Sequence, residues 1–379
     1  MEMSDELERG SMIKYLIGSV QTKFSVLEDL YRGFDRDRYK MMVLLVDAHT
    51  MMRKLHVKDR SVLLADNTAE SVRDIVVGFL NVLGHYRRFM ATRLGMDNDI
   101  YVMFNRRAPK YNRRCIAEFS EGLEHYYDPS NPEYGAMNRA VELAYQFIMG
   151  LSPYFEGIYC LDMPGVNEFA LMARMGFPDD VYYTIVTRNR FGFQLIRDNV
   201  SVLRPKRDDS YLLTAKNFYD RGILRETKQR GDPRITPDML PLFWTLTGLG
   251  DVEVGGTEHV TSVSQMTRIA IRMLDEGALV PGISIQSFLK NLTDFLPPKK
   301  RMAFRVDSGH LGDRYRGLSA NLAGYAITPD QMAKVVAQCY DLYDETALED
   351  LNQKLVDSSV NPETLALENL NMSFGVNYE

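Results

Sequence analysis

Short, continuous apolar runs of strand length constrain the fold of this chain more than any other feature of its sequence. Stretches with apolar residues at helical spacing lie between most successive runs. Uninterrupted apolar runs are typical of strands covered on both faces, and strand–helix alternation favours a parallel sheet with helices on each side. The sequence therefore predicts an α/β fold with a central, mainly parallel sheet flanked by helices. The predicted strands are MMVLLVDAHT (41–50), IYVMFN (100–105), GIYCLDM (157–163), VYYTIVT (181–187) and NVSVLRP (199–205).

The strand–helix alternation stops near residue 213, and this change of pattern divides the chain. Apolar residues at helical spacing over 12–40 predict a helical lead-in before the first strand. The other predicted helices are 68–94, 133–151, 167–175, 236–249, 264–276 and 328–357. We expect four parts: a helical N-terminal extension (1–40), an α/β core (41–212), a helical region closed by two prolines (213–298), and a C-terminal helical extension with a polar tail (299–379).

The composition argues against a protein that coats nucleic acid with its whole surface. The formal net charge is −6 and the sequence pI is about 5.7, although a local basic groove stays compatible with these values. No apolar run reaches the roughly 18–20 residues of a membrane span, and the acidic N-terminus does not have the pattern of a signal peptide. The three cysteines, Cys115, Cys160 and Cys339, show no metal-binding spacing. We expect a soluble, intracellular protein with buried free thiols.

The order of the elements over residues 41–296, with the residues at their ends, resembles the flap-endonuclease (5′-nuclease, PIN-like) family. A strand ending in Asp47 is similar to the family's opening strand, which ends in an aspartate. The stretch SVSQMTRIAIRMLDEGAL (262–279) is similar to the second half of its helix–three-turn–helix. The resemblance implies a nuclease-like core at 41–212 and a helix–three-turn–helix region at 213–298. Three further stretches are similar to family motifs: Gly165–Glu168 to the start of Gly-Val-Glu-Ala-Asp-Asp, Thr187–Leu195 to Thr-x-Asp-x-Asp-x-x-Gln-Leu, and Ile235–Asp251 to the helix leading into Gly-Asp.

A two-metal nuclease needs a dense set of carboxylates, because hard divalent ions prefer oxygen ligands and their charge offsets the repulsion among the acids. At the positions that the resemblance implies, most of these carboxylates are missing. Arg188 and Arg190 lie in the loop where acids would stand, and a guanidinium cannot bind a metal. The sequence therefore predicts a disabled site with no catalytic residue, no metal ligand and no cofactor; Mg²⁺ or Mn²⁺ would be needed only for residual nuclease activity. The relic positions are Asp47, Asn105, Glu168, Asn189 and Asp251, with Phe191 in place of the second aspartate of the turn.

A basic stretch, FNRRAPKYNRR, follows the second predicted strand, and two interpretations of it stay open. Its cations and two aromatic residues fit a surface that tracks phosphates and stacks on bases. The same residues also fit a solvated basic loop without a ligand. The candidate binding residues are Arg106, Arg107, Lys110, Arg113 and Arg114, together with Arg188 and Arg190.

A nuclease fold with a disabled metal site predicts a non-catalytic scaffold that binds protein partners. Its 21 Met and 21 Tyr residues suit an adaptable protein-binding surface. Degenerate members of this kind resemble products of large DNA bacteriophages. That resemblance implies a jumbo-phage adaptor for cargo recognition and protein import into the phage nucleus, located in the cytoplasm of an infected bacterial host at the phage-made compartment. The alternative is a structure-specific DNA-binding protein, or a residual 5′ nuclease acting through Asp47, Glu168 and Asp251.

Overall fold

The structure is a computed structural model, and it describes sixteen separate stretches and single positions of the chain. Within these, the side chains at 53–57, 69–77, 158, 162, 220–221 and 263–264 are not described. The described residues are 23–57, 69–104, 138, 141–142, 144–146, 157–162, 169, 172–173, 177–205, 210–221, 232, 234–247, 263–298, 301, 311–312 and 314–320.

A six-stranded sheet forms the centre of the molecule. The strands lie in the order β3–β2–β1–β4–β5–β6; the first five in this order are parallel to one another, and β6 is antiparallel to β5. The predicted α/β fold with a mainly parallel sheet is therefore confirmed. The strands are β1 (Met41–Asp47), β2 (Asn98–Phe104), β3 (Ile158–Asp162), β4 (Val181–Val186), β5 (Val200–Arg204) and β6 (Tyr211–Leu213).

The central strand β1 pairs with β2 on one side and with β4 on the other, so the strand order reverses at β1. Asp47 lies beside Met103 of β2, and Val46 lies beside Val186 of β4. The carboxyl ends of these three strands therefore meet at one edge of the sheet. In open α/β sheets, ligand-binding crevices form at such a switch point.

Three of the predicted helices can be compared with described ones; the predictions for 133–151 and 167–175 lie mostly outside the described residues, and that for 328–357 lies wholly outside them. The prediction for 68–94 corresponds to α3 and a π-helical turn at Met90–Leu94, and that for 264–276 corresponds to α5. Where one helix was predicted over 236–249, the structure has a 3-10 turn, Pro237–Met239, followed by α4. The α-helices are α1 (Phe24–Leu30), α2 (Ala48–Val57), α3 (Ala69–Phe89), α4 (Leu240–Thr247), α5 (Val263–Asp275) and α6 (Ile285–Phe295).

The predicted end of the first strand at Asp47 is confirmed: α2 begins at Ala48, and the Asp47 carboxylate accepts a hydrogen bond from the Thr50 backbone N–H in the first turn of α2. One predicted boundary was wrong. The helix predicted over 12–40 is, in the described part, helical only at α1 and in a short 3-10 turn at Arg36–Arg38. Gly33, with a φ of 77°, lies between them in a conformation that ends a helix. Helix α6 was not predicted.

Buried side chains form two clusters, one on each face of the sheet. Alternate residues of β1 contribute to different clusters, as expected for a strand covered on both faces: Val43 and Leu45 to the first, Leu44 and Val46 to the second. The first cluster includes residues of α4, α5 and α6, and the second includes residues of α1 and α3. Cys160 of β3 is buried as a free thiol. None of the described helices combines the length and apolarity needed to cross a bilayer.

Candidate functional site

Asp47, at the carboxyl end of β1, is buried and held by two hydrogen bonds. Its Oδ1 accepts from the Thr50 backbone N–H at 3.0 Å, and its Oδ2 accepts from the Thr187 hydroxyl at 2.7 Å. Only 2% of Asp47 is exposed. Burial raises the pKa of this carboxyl, and the hydrogen bonds from Thr50 and Thr187 oppose that rise. Both carboxylate oxygens are therefore satisfied by donors of the protein itself.

The turn after β4 is organised by Thr187 and Asn189. The Thr187 hydroxyl also accepts a hydrogen bond from the Asn189 backbone N–H at 2.9 Å. The Asn189 side-chain oxygen accepts from the Phe191 backbone N–H at 2.9 Å and so caps a 3-10 helix, Arg190–Leu195, which we call the turn helix. Asn189, which stands where the resemblance implies an aspartate, thus acts as a helix cap.

Aromatic side chains fill the space next to this turn. Phe191 lies 5.8 Å from Phe169 between ring centroids, and it stacks on Trp244 of α4 at 6.5 Å with 22° between the ring planes. Phe169 and Trp244 have no exposed surface, and Phe191 is 2% exposed. At Gly192, an added Cβ would lie 2.9 Å from Cε1 of Phe169. We call Phe169, Phe191 and Trp244 the aromatic cluster; it is tightly packed, and its member Phe191 stands where the resemblance implies an aspartate.

Arg188 and Arg190 are the residues before and after Asn189 in the sequence. Arg190 begins the turn helix and is 9% exposed. Arg188 is partly buried, and its backbone carbonyl accepts from the Arg204 guanidinium at 2.7 Å. Both arginine residues interact with other groups of the protein. Their assignment as phosphate-binding residues stays a prediction.

Several of the predicted site residues lie outside the described residues, and their assignments also stay predictions. Three of the relic positions belong to this group, together with all the cations of the basic stretch. Within the described part of the chain, no three His, Cys, Asp or Glu side chains come together as a metal site requires. The residues concerned are Asn105, Glu168, Asp251, Arg106, Arg107, Lys110, Arg113 and Arg114.

Gln194 is a residue of this site that the sequence analysis did not single out. Its side-chain nitrogen donates to the carbonyls of Phe191 at 3.0 Å and Leu318 at 3.1 Å, and its side-chain oxygen accepts from the Ala320 backbone N–H at 2.7 Å. It thereby joins the turn helix to what we call the C-terminal segment, residues 311–312 and 314–320. The available signal in the sequence was the amide side chain of Gln194, the one polar side chain in the stretch FGFQLI.

Comparison with known proteins gives similarity at the level of structure. No protein-family model matches the chain, and no curated protein sequence matches it. Among solved structures, it is similar to the T5 5′-exonuclease with bound zinc ions, with a TM-score of 0.48 and 11% identity over 83% of this chain and 98% of that one. It is also similar to the flap endonuclease of bacteriophage T5 in a pseudo-enzyme–product complex with DNA and metal ions, with a TM-score of 0.47 and 10% identity over the same shares of the two chains.

A mutant of the T5 5′-exonuclease gives a TM-score of 0.43 at 10% identity, over 84% of this chain and 98% of that one. These structures come from the same family that the sequence resembles, and a likeness of this degree carries neither an activity nor a ligand to the present chain.

Proposed function

We propose that this chain is a non-catalytic nuclease-fold scaffold that binds protein partners. The observation that supports this proposal is the aromatic cluster. Phe191 stands where the resemblance implies a metal-binding aspartate, and it is buried against Phe169 and Trp244. Mg²⁺ and Mn²⁺ need carboxylate, carbonyl or water oxygens around them, and aromatic rings supply none.

The carboxylate that remains in the described part of the site is poorly placed for a cation. Asp47 already accepts hydrogen bonds from Thr50 and Thr187. Its pKa is raised by burial, so the protonated form competes with a metal ion for the same oxygens. We infer that Asp47 now stabilises the junction of β1, α2 and the turn after β4.

We further propose that the partners are phage proteins and that the scaffold is a jumbo-phage adaptor. In this role it would recognise cargo proteins for import into the phage nucleus and would act in the cytoplasm of the infected host, at the phage-made compartment. The acidic net charge of −6 favours a protein partner over a nucleic-acid partner.

A nuclease assay tests the first part of the proposal. The full chain is incubated with a 5′-flap DNA substrate in Mg²⁺ and in Mn²⁺, beside an Asp47→Ala variant and an active 5′ nuclease as positive control. We expect no cleavage by either form of this chain. Cleavage by the wild type that disappears in Asp47→Ala would show that the chain is an enzyme and would overturn the proposal.

Affinity capture from infected cells tests the second part. The tagged full chain is recovered from lysates with and without nuclease treatment, and co-purifying proteins are quantified against a tag-only control. We expect phage proteins that also reach the phage nucleus to be enriched equally in both samples. Enrichment that vanishes after nuclease treatment would show that DNA bridges the partners.

The second candidate function is structure-specific DNA binding or residual 5′ nuclease activity, and the five cations of the basic stretch at 106–114 favour it. Binding of flap and single-stranded DNA across a salt series measures it directly. Phosphate-mediated binding weakens steeply as salt rises, because bound counterions are released. Binding of this kind, lost when Arg113 and Arg114 are changed to Ala, would favour the alternative.

A further inference from the structure

Gln194 connects two segments that are distant in the sequence through one side-chain amide. The amide binds the Phe191 carbonyl in the turn helix, and it binds the Leu318 carbonyl and the Ala320 N–H in the C-terminal segment. All three partners are backbone groups, so these bonds depend on where two stretches of main chain lie. The amide can make all of them only while the turn helix and the C-terminal segment keep their present relative position.

The backbone groups that Gln194 binds in the C-terminal segment are buried. Residues 314–318 are helical, and Leu318, the last of them, has no exposed surface, while Ala320 is 1% exposed. The last carbonyls of a helix have no partner within the helix, and a buried backbone group without a hydrogen bond is costly. Gln194 therefore supplies, from a distant part of the chain, a cap for this helical end.

The C-terminal segment also borders a cavity of about 520 Å³, which Tyr315, Ser319 and Gln194 line. A side chain beside a cavity has fewer packing contacts to lose when its segment moves away. The segment is anchored in the core by buried apolar side chains, among them Leu311 and Leu318. Segments with incomplete packing are the ones that open locally, without unfolding of the whole protein.

The other end of the connection is Phe191, whose backbone is bound through both of its polar groups. Its carbonyl accepts from Gln194, and its N–H donates to the Asn189 side-chain oxygen. Its ring packs against Phe169 and Trp244. A displacement of the Gln194 amide therefore acts directly on a residue of the aromatic cluster.

We propose that the C-terminal segment is a strap that opens as a unit, and that Gln194 is the latch that couples its opening to the turn helix. When the segment opens, the Gln194 amide loses its two partners there, Leu318 and Ala320, and the turn helix is loosened with it. The same movement opens one wall of the cavity. This inference goes beyond the proposed function, since it concerns a motion of the folded chain itself.

Native-state hydrogen exchange of the full chain tests the strap. Three amides that do not bind the Gln194 side chain are followed: Ser319, Phe191 and, in β2, Ile100, which donates to the Gly157 carbonyl at 2.8 Å. We expect Ser319 and Phe191 to open with the same free energy and the same weak dependence on denaturant. Ile100 should open only with the strong dependence of global unfolding. A Ser319 amide that exchanges like Ile100 would overturn the strap, and different values for Ser319 and Phe191 would overturn the coupling.

Leu318→Val tests the latch, because it loosens the packing of the strap and leaves the side chain of Gln194 in place. It should speed exchange at Ser319 and Phe191 by the same factor, about threefold to tenfold. In a Gln194→Met background, Leu318→Val should still speed exchange at Ser319 and should leave Phe191 unchanged. Equal acceleration of Phe191 in both backgrounds would overturn the latch, because the coupling would then not need Gln194.

Asn217→Met is the matched control for Gln194→Met. The Asn217 amide also binds a backbone carbonyl and a backbone N–H, at 3.1 and 2.8 Å, but these groups lie within five residues of it in the sequence. Leu318→Val should keep its full effect on Phe191 in this background. Loss of the effect here as well would show that any such side-chain amide matters and would overturn the particular role of Gln194.

Gln194→Glu is the second variant, and it keeps the latch testable if Gln194→Met does not fold. A glutamate keeps the side-chain oxygen that accepts from Ala320 and lacks the N–H donors that bind Phe191 and Leu318. Leu318→Val should again speed exchange at Ser319 and leave Phe191 unchanged. A Phe191 amide that still follows Ser319 in this background would count against the latch.

Discussion

The ends of the neighbouring strands β1 and β4 differ in their chemistry. At the end of β1 lies an acid, with both oxygens of Asp47 bound by protein donors. After β4, Phe191 packs into the aromatic cluster. Clustered carboxylates without a metal repel one another and are costly to bury, whereas one hydrogen-bonded carboxyl is tolerated. The comparison shows that two adjacent strand ends of one sheet can be stabilised differently, one by hydrogen bonds to a carboxyl and the other by packed aromatic rings.

Placing an acid in the turn after β4 should have the largest effect. Phe191→Asp removes a buried ring, which alone costs about 3–5 kcal/mol, and places a charge in an apolar environment. We expect the free energy of unfolding to fall by at least about 4 kcal/mol, as measured by denaturant titration.

Phe191→Leu is the control for Phe191→Asp, because it keeps an apolar side chain and should cost clearly less. A Phe191→Asp protein that stays fully stable, and whose melting temperature rises when Mg²⁺ is added, would contradict this expectation. It would show that the region around the aromatic cluster can bind a metal ion.

Gly192→Ala tests how tightly the aromatic cluster is packed. The added methyl group would lie 2.9 Å from Cε1 of Phe169, so the ring must shift. Overpacking of this kind costs about 1–3 kcal/mol. Gly312→Ala is the matched control: a Cβ there meets nothing within 4 Å, and we expect an unchanged or slightly raised melting temperature. Equal melting temperatures for both variants and the wild type would mean that the cluster has room to relax.

Asp47→Asn tests how the buried carboxyl at the end of β1 affects stability. Because burial raises the pKa of Asp47, the folded state holds this proton more tightly than the unfolded state, whose carboxyl titrates near ~3.9. The stability that this adds to the wild type is complete below that pH and is lost as pH rises through the folded pKa. Asp47→Asn should therefore be more stable than the wild type at high pH, by about 1 kcal/mol or less.

The difference between Asp47→Asn and the wild type should grow with pH in a series of thermal melts. Asp180→Asn is the control with the opposite sign, since a hydrogen bond from Lys40 lowers the pKa of that exposed carboxyl. Strong destabilisation of Asp47→Asn at every pH would show that the ionised carboxylate is required at the end of β1.

Arg234→Ala should have the smallest effect. Arg234 joins Asp232 and Asp275 through its guanidinium, at 2.6 and 2.8 Å, on the surface and away from both strand ends. Exposed ion pairs contribute little because water and salt screen them. We expect no resolvable change in the denaturation midpoint at physiological salt. A large loss would mean that surface charges stabilise this fold as much as the aromatic cluster does.

The sequence predicted the sheet well because the runs in β1 to β5 are mostly apolar. This pattern can be seen without any knowledge of tertiary contacts. It did not predict β6, whose three residues are too few to give a pattern, or α6, which follows directly on the turn residues Pro281 and Gly282. The resemblance placed Asp47 and Asn189 correctly at the ends of neighbouring strands. It could not show that Phe169 and Trp244 meet at Phe191, because contacts between distant segments leave no local pattern.

The hydrogen bond between Asp47 and Thr187 joins residues 140 positions apart. Closing so long a loop is entropically costly, so this contact should form only after β1 and β4 have paired. The hydrogen bond from the Thr50 amide to the same carboxylate spans only three residues and can form while the chain is still open. One side chain thus receives an early, local contact and a late, long-range one.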